Sequence, residues 1–215
     1  DKKETGRDQL LEKINITEDD INFMFGGDLL NQCVGTTYGI RDYNIPFLGI
    51  YGACSTMAEG LLLSSLCIDN EIGEKVLAVT SSHFCTAERQ YRFPINYGGQ
   101  RTPTAQWTVT GGGALVVSKS DKAPYVRGVS VGKIVDMGVS DVNNMGAAMA
   151  PAAADTIKTF LNDFGMNPSD FDYIVTGDLA KVGSRLVCEI LEKDGINIRN
   201  NHKDCGTMIY DLDEQ

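Results

Sequence analysis

Residues 10–30, LLEKINITEDDINFMFGGDLL, and residues 160–180, FLNDFGMNPSDFDYIVTGDLA, align without a gap, with Gly27 falling on Gly177. Leu11/Leu161, Asp20/Asp170, Gly27/Gly177, Asp28/Asp178 and Leu29/Leu179 are identical, and Ile14/Phe164, Ile16/Met166, Ile21/Phe171, Phe23/Tyr173, Met24/Ile174 and Phe25/Val175 stay apolar. Each copy opens on a helix. In the second, Ile157, Phe160, Leu161 and Phe164 recur at i, i+3, i+4 and i+7, which makes one buried face. A one-turn helix follows, with Thr17 and Asp20 in the first copy and Asn167, Pro168 and Asp170 in the second. The first residue caps, proline suits the opening turn, and the acid favours the positive helix end. Next comes a short, nearly continuous apolar run, INFMF or FDYIV, as in a strand covered on both faces. Gly-Asp-Leu ends both runs. The shared order of elements marks an internal duplication.

Beyond the first copy the pattern continues: a helix from about Asn31, the strand IPFLGIY, a helix from about Ser55 and the strand KVLAVTSS. A long loop runs from His83 to Trp107, followed by the strands TVTGGGALVVSK and YVRGVSVGKIV. Alternating strands and helices build parallel βαβ units, hence a duplicated, layered α/β fold. Residues 1–120 form its first half and residues 121–215 its second. The repeat places a strand before the first helix and a further turn and helix after DCGTMIYDLDEQ, so the chain is expected to be the central portion of a longer protein. The loop, with TAERQYRFPINYGGQRTP, is too long for a plain connection and is expected to cover a site or reach across an interface.

The composition narrows the function classes. A formal charge of −10, with no run of Lys and Arg, argues against nucleic acid and a polybasic membrane anchor. No stretch approaches the roughly 20 apolar residues that cross a bilayer. The cysteines at 33, 54, 67, 85, 188 and 205 form no CxxC pair and no metal-ligand spacing, so no metal is expected, and they suit a reducing compartment. The triple glycine 111–113 lacks a Walker lysine and precedes a strand, so it is read as close backbone packing rather than a nucleotide loop. Pro151 to Ala154 reads as a helix start lined with small residues.

IPFLGIY-GACST-MAEGLLLSSLCI is strand, tight turn, helix. Gly52 and Ala53 keep the turn small, and Ser55 or Thr56 can cap the helix. Cys54 then stands at a helix N-terminus, where free N–H groups and the dipole favour a thiolate. That is nucleophile geometry, only loosely matching the G-x-S-x-G elbow. His83 ends a strand at the edge where parallel α/β folds place ligands, and either touches a ligand or makes a structural hydrogen bond. Asp28 and Asp178, at equivalent strand ends, either cap helices or line a site.

GACSTMAEGL, followed some fifty residues later by VTGGGALVVS, resembles the thiolase superfamily, whose nearest enzymatic branch is the ketoacyl synthases. GDLLNQ, FGGDLL, GACST, TSSH, TAERQYRFP, YGGQRTPTA, MAPAAADTIK and DCGTMIY together resemble the stage V sporulation protein AD family of spore-forming bacteria. The resemblance implies a thiolase-like α-β-α-β-α layered fold with Cys54 at the ancestral nucleophile position. Condensing enzymes supply a histidine after the strand that here is DYIV. This chain has Thr176, Gly177 and Asp178 there, so the resemblance implies a degenerate, non-catalytic site without a cofactor. It further implies binding of dipicolinic acid or its calcium chelate, uptake of that ligand into the developing spore, and work with other stage V sporulation A proteins. The expected place is intracellular, peripheral at the inner spore membrane, and the expected assembly a homodimer. An aromatic dicarboxylate needs guanidinium or N–H donors and an apolar slot. Arg89 is the preferred anion contact, with pairing to Glu88 or Glu59 as its alternative. The candidate ligand-binding set is therefore Cys54, His83, Glu88, Arg89, Asp28 and Asp178. The alternative function is an acyl-transfer or condensing enzyme with Cys54 as nucleophile.

Overall fold

The structure, a computed structural model, describes residues 11–91, 102 and 104–211. These group into two compact units, one drawn from Asp1–Gly98 and Thr108–Val129, the other from Gly99–Trp107 and Ser130–Gln215. The duplication is visible bond by bond. Asn15 and Gly165 take left-handed backbone at φ 53° and 61°. The next N–H closes the helix end in each copy, Ile16 N–H to Leu11 O at 3.1 Å and Met166 N–H to Leu161 O at 2.9 Å. The one-turn helices Glu18–Asp20 and Pro168–Asp170 follow. In both, the acid accepts from the residue before the turn, Thr17 N–H to Asp20 Oδ2 and Asn167 N–H to Asp170 Oδ2, each at 2.7 Å.

The first unit carries a four-stranded sheet of β1 (Phe23–Asp28), β2 (Phe47–Gly49), β3 (Lys75–Ser82) and β4 (Gly111–Ser118), in the order β2-β1-β3-β4. β2, β1 and β3 are parallel and β4 is antiparallel to β3. Period-two alternation divides the core between the faces. Met24, Leu77 and Val79 join Leu11, Ile21 and Ile45 in one cluster, whereas Phe25 and Val76 join Ile68 in another. The first cluster lies on the face that carries helix α1 (Val34–Ile40), and α2 (Thr56–Asp69) covers the other. The apolar runs of β1 and β3 are thus buried on both sides, as their sequence predicts.

The leucines of α2 do not make its innermost stripe. Thr56, Gly60, Ser64 and Ile68, four apart, face the sheet. A Cβ on Gly60 would lie 3.3 Å from the Ala78 Cβ, so small residues let the helix settle close to β3. The long loop also differs from expectation, because its first part is helix α3 (Phe84–Tyr91). Phe84, Ala87, Glu88 and Tyr91 have the i, i+3, i+4, i+7 spacing, and Ala87 and Glu88 are buried. The run RFPINYGGQR, residues 92–101, and Pro103 lie outside the described residues.

In the second unit α4 (Met145–Phe164) packs on α5 (Ala180–Lys193) around Ala150, Ala154, Val187, Cys188 and Leu191. The contact is tightest at Gly146, where a Cβ would lie 2.5 Å from Leu179 O and 2.9 Å from Gly183 N. α4 begins at Met145 with Asn144 as cap, so Pro151 lies inside the helix rather than at its start. β5 (Ile174–Thr176) and β6 (His202–Asp204) pair in parallel, and α6 (Cys205–Ile209) follows. YVRGVSVGKIV forms no strand: Val131 is 78% and Ile134 97% exposed. Among the described residues no neighbour pairs with it, and β-branched residues make a strand only against a partner.

Candidate functional site

Gly27 determines how the chain reaches the cysteine turn. Its Cα faces α2, and a Cβ there would lie 2.3 Å from Ile50 O and 2.5 Å from Thr56 Cγ2. The bare backbone lets Ile50 pass directly over β1, where Ile50 N–H bonds Gly26 O at 3.0 Å. The turn Ala53–Ser55 follows, a single 3-10 turn with Ala53 at φ 49°. Such a left-handed alanine costs ~1 kcal/mol or more and persists because the turn is tied on several sides. Ser55 N–H and Oγ bond Gly52 O at 3.0 and 2.8 Å. Thr56 Oγ1 donates to Ala53 O at 2.8 Å and accepts from Gly52 N–H at 3.1 Å. Neither Ser55 nor Thr56 therefore spends its oxygen on an α2 N–H; both close the turn instead. Cys54, at the centre, is exposed. Glu59 in the first turn of α2 places Oε2 2.9 Å from the point where a Gly52 Cβ would stand, setting negative charge against the favourable helix end. Gly113 packs its Cα face toward Met57 on the same turn of α2.

α3 flanks this turn through a directed chain of hydrogen bonds. Asn31 N–H donates to Gln90 Oε1 at 2.7 Å, and Gln90 Nε2 donates to the Tyr51 hydroxyl at 3.0 Å. Tyr91 donates to Leu29 O at 3.2 Å, and the two tyrosine hydroxyls lie 2.9 Å apart. Each hydroxyl has one proton, so the bond between them runs from Tyr51 to Tyr91. Burial, then the bond with Tyr51 and the negative charge that Tyr51 or Cys54 would carry, push the Tyr91 pKa up. Tyr91 is thus a neutral donor close to Cys54. Tyr51, Gln90 and Tyr91 lie outside the candidate set read from the sequence, although the helical spacing of residues 84–91 is the available signal.

The other candidates fall at different distances from this centre. Asp28, 3% exposed, accepts at Oδ2 from Thr36 N–H at 2.8 Å and Thr36 Oγ1 at 2.7 Å, and so caps α1. His83 caps α3 with its carbonyl, which receives Thr86 and Ala87 N–H at 3.1 and 3.0 Å, and its ring is exposed. Glu88 is buried and anchors the approach to β4, its Oε1 accepting from Thr108 Oγ1 at 2.9 Å. It does not pair with Arg89, which is exposed with no ion pair among the described residues.

Asp178 belongs to the second unit and does not repeat the work of Asp28. The cap there is Asp204, the first residue of the DCGTMIY run. Its Oδ1 accepts from Thr176 Oγ1 at 2.7 Å and Leu179 N–H at 2.8 Å. Its Oδ2 accepts from the N–H groups of Ala180, Gly206 and Thr207 at 3.0, 3.1 and 3.4 Å. Asp178, half-buried, has its pKa pushed up to about 6 by burial and then by Asp204. Linkage gives the sign: the folded value lies above the ordinary 3.8, so this stability is complete below about 3.8 and lost as pH rises through 6. Asp178→Asn is expected to stabilise the chain at pH 8 by ~1–2 kcal/mol, after discounting for partial exposure, and to change little below pH 4. Urea denaturation at both pH values measures this.

With this geometry in hand, comparisons with known proteins place the chain. A family model described as Stage V sporulation protein AD (SpoVAD) matches residues 3–215. Stage V sporulation protein AD of Bacillus subtilis (strain 168) is 48% identical over 205 residues, covering 95% of this chain and 61% of that protein. The chain therefore spans about three fifths of that relative's length. Among solved structures, a Xanthomonas campestris OleA variant superposes with TM-score 0.68 at 12% identity, covering 94% of this chain and 66% of that one. A tetronic acid condensing enzyme gives 0.63 at 15%, covering 94% and 70%. The 3-oxoacyl-[acyl-carrier-protein] synthase III of Aquifex aeolicus gives 0.58 at 14%, covering 90% and 64%. At these identities the likeness is one of fold: thiolase-like.

Proposed function

The chain belongs to the stage V sporulation protein AD family, and on that premise we propose that it binds dipicolinate without catalysis and aids its uptake into the developing spore. The observation that carries the non-catalytic part is Asp178. Where condensing enzymes hold a histidine, this chain has Gly177 and a carboxylate with its pKa near 6, beside the carboxylate of Asp204. At neutral pH such a pair accepts hydrogen bonds and repels the developing negative charge that a condensing site must stabilise. The first unit offers what a small aromatic dicarboxylate needs. Arg89 presents an exposed guanidinium, and the rings of Tyr51 and Tyr91 supply apolar surface near Cys54. Cys54 is in this reading a wall of the pocket. The protein acts as a homodimer at the inner spore membrane with other stage V sporulation A proteins. Among the described residues no helix is long and apolar enough to cross a membrane, which suits peripheral attachment.

Calorimetric titration of the full-length protein with dipicolinate and its isomeric pyridine dicarboxylates is the test. Dipicolinate is expected to bind in preference to its isomers, and Arg89→Gln to weaken it about tenfold, the loss of one charge-assisted bond. No binding, or equal binding of all isomers, overturns the proposal. One feature favours a second reading, acyl transfer from Cys54: its exposure on a strand-to-helix turn within a condensing-enzyme fold. Intact-mass measurement after incubation with acyl thioesters decides, since a stable adduct lost in Cys54→Ser would establish that reading.

A further inference from the structure

The passage from β5 to α5 is built under strain. Asp178 and Ala180 both have left-handed backbone, at φ 56° and 54°, a conformation that side-chain-bearing residues rarely adopt. Asp204 holds the passage closed through the Leu179 and Ala180 N–H groups. Five donors converge on Asp204, which is 1% exposed. Asp178 lies beside it, across Gly206. A Cβ at 206 would stand 2.5 Å from Asp178 Oδ1 and 3.1 Å from Asp204 Oδ2, so the bare glycine lets both carboxyl groups approach this point. The carbonyl of Asp178 in turn accepts from Gln106 Nε2. Gln106 precedes Trp107, the single tryptophan, and lies two residues before Thr108, which anchors α3 through Glu88.

We propose that Asp178 is a proton-operated latch: when neutral it lets the strained 177–180 turn stay closed and hold Gln106, and when ionised beside Asp204 it loosens the turn and releases residues 104–107. The driving force is the repulsion of a second charge beside the five-donor carboxyl group of Asp204. Among the described residues, the titratable groups beside Asp178 include Asp204 on β6 and Cys205 on α6, whose thiol pKa is raised by burial and by both aspartates. Lys181, on α5, is the nearest cation in sequence. His202, also on β6, is a separate titrating group. Thr176 Oγ1 gives its proton to Asp204, so His202 Nε2 donates to Thr176 at 2.9 Å, and burial lowers its pKa in this neutral form. The latch does not depend on which ligand the first unit takes.

Trp107 emission of the full chain, followed from pH 4.5 to 8, tests the latch. The expected result is one sigmoid with its midpoint near 6. Asp178→Asn, close in shape and tolerant of left-handed backbone, should hold the low-pH signal throughout. Gln106→Ala should hold the high-pH signal throughout, and His202→Gln should leave the sigmoid in place. A flat wild-type curve, a sigmoid that survives in Asp178→Asn or Gln106→Ala, or one abolished by His202→Gln overturns the proposal.

Discussion

Asp204→Ala is expected to destabilise the second unit by ~3–5 kcal/mol in chemical denaturation at pH 7. The substitution strands the N–H groups of Leu179, Ala180, Gly206 and Thr207 and the hydroxyl of Thr176 at once. Those N–H groups belong to the starts of α5 and α6, so two helices lose their cap together. Loss of a single cap alone would cost ~1 kcal/mol. A second consequence separates this role from mere packing. Without the neighbouring carboxylate, the Asp178 pKa should fall toward its ordinary value, and the gain from Asp178→Asn at pH 8 should shrink in the Asp204→Ala background. A loss under about 1 kcal/mol, in the range of one exposed cap, would show that the hub is not formed.

Gly27→Ala should cost ~3 kcal/mol and displace the cysteine turn. The new methyl would meet a backbone oxygen, Ile50 O at 2.3 Å, which cannot rotate away as a side chain would. Ile50 must lift from β1, breaking its bond to Gly26 O and moving the turn that begins at Ala53. Alkylation of Cys54, read by peptide mass against Cys85 and Cys205 as exposed references, reports the movement. A several-fold change in the Cys54 rate alone is expected. Unchanged stability and unchanged rate together would mean that the close crossing at Gly27 does not set the turn.

Much of this was legible in the linear pattern. The duplication, the doubly covered strands β1 and β3 and the strand-turn-helix around Cys54 rest on local periodicity and turn chemistry, which survive into the fold. Residues 84–91 were obscured because a polar, turn-rich run follows directly, although their apolar spacing is helical. The run from Tyr125 failed in the opposite sense, since its β-branched residues pattern as a strand but find no partner among the described residues.

The paired aspartates mark where sequence stops and tertiary structure takes over. The sequence places Asp28 and Asp178 at equivalent strand ends and leaves capping and binding both open. The neighbouring strand decides between them. Opposite Gly26 in β1 the register sets Gly49, whereas opposite the equivalent Thr176 in β5 it sets Asp204. A glycine offers no side-chain acceptor, and in the first unit Asp28 itself caps the following helix through Thr36. An aspartate at that place takes the helix N–H groups, and Asp178 is left as a second negative charge with an elevated pKa. The local sequence thus determined the elements and their order. Only tertiary contact, which brings residues far apart in the chain within 3 Å, determined which carboxylate works as a cap and which is poised to take a proton.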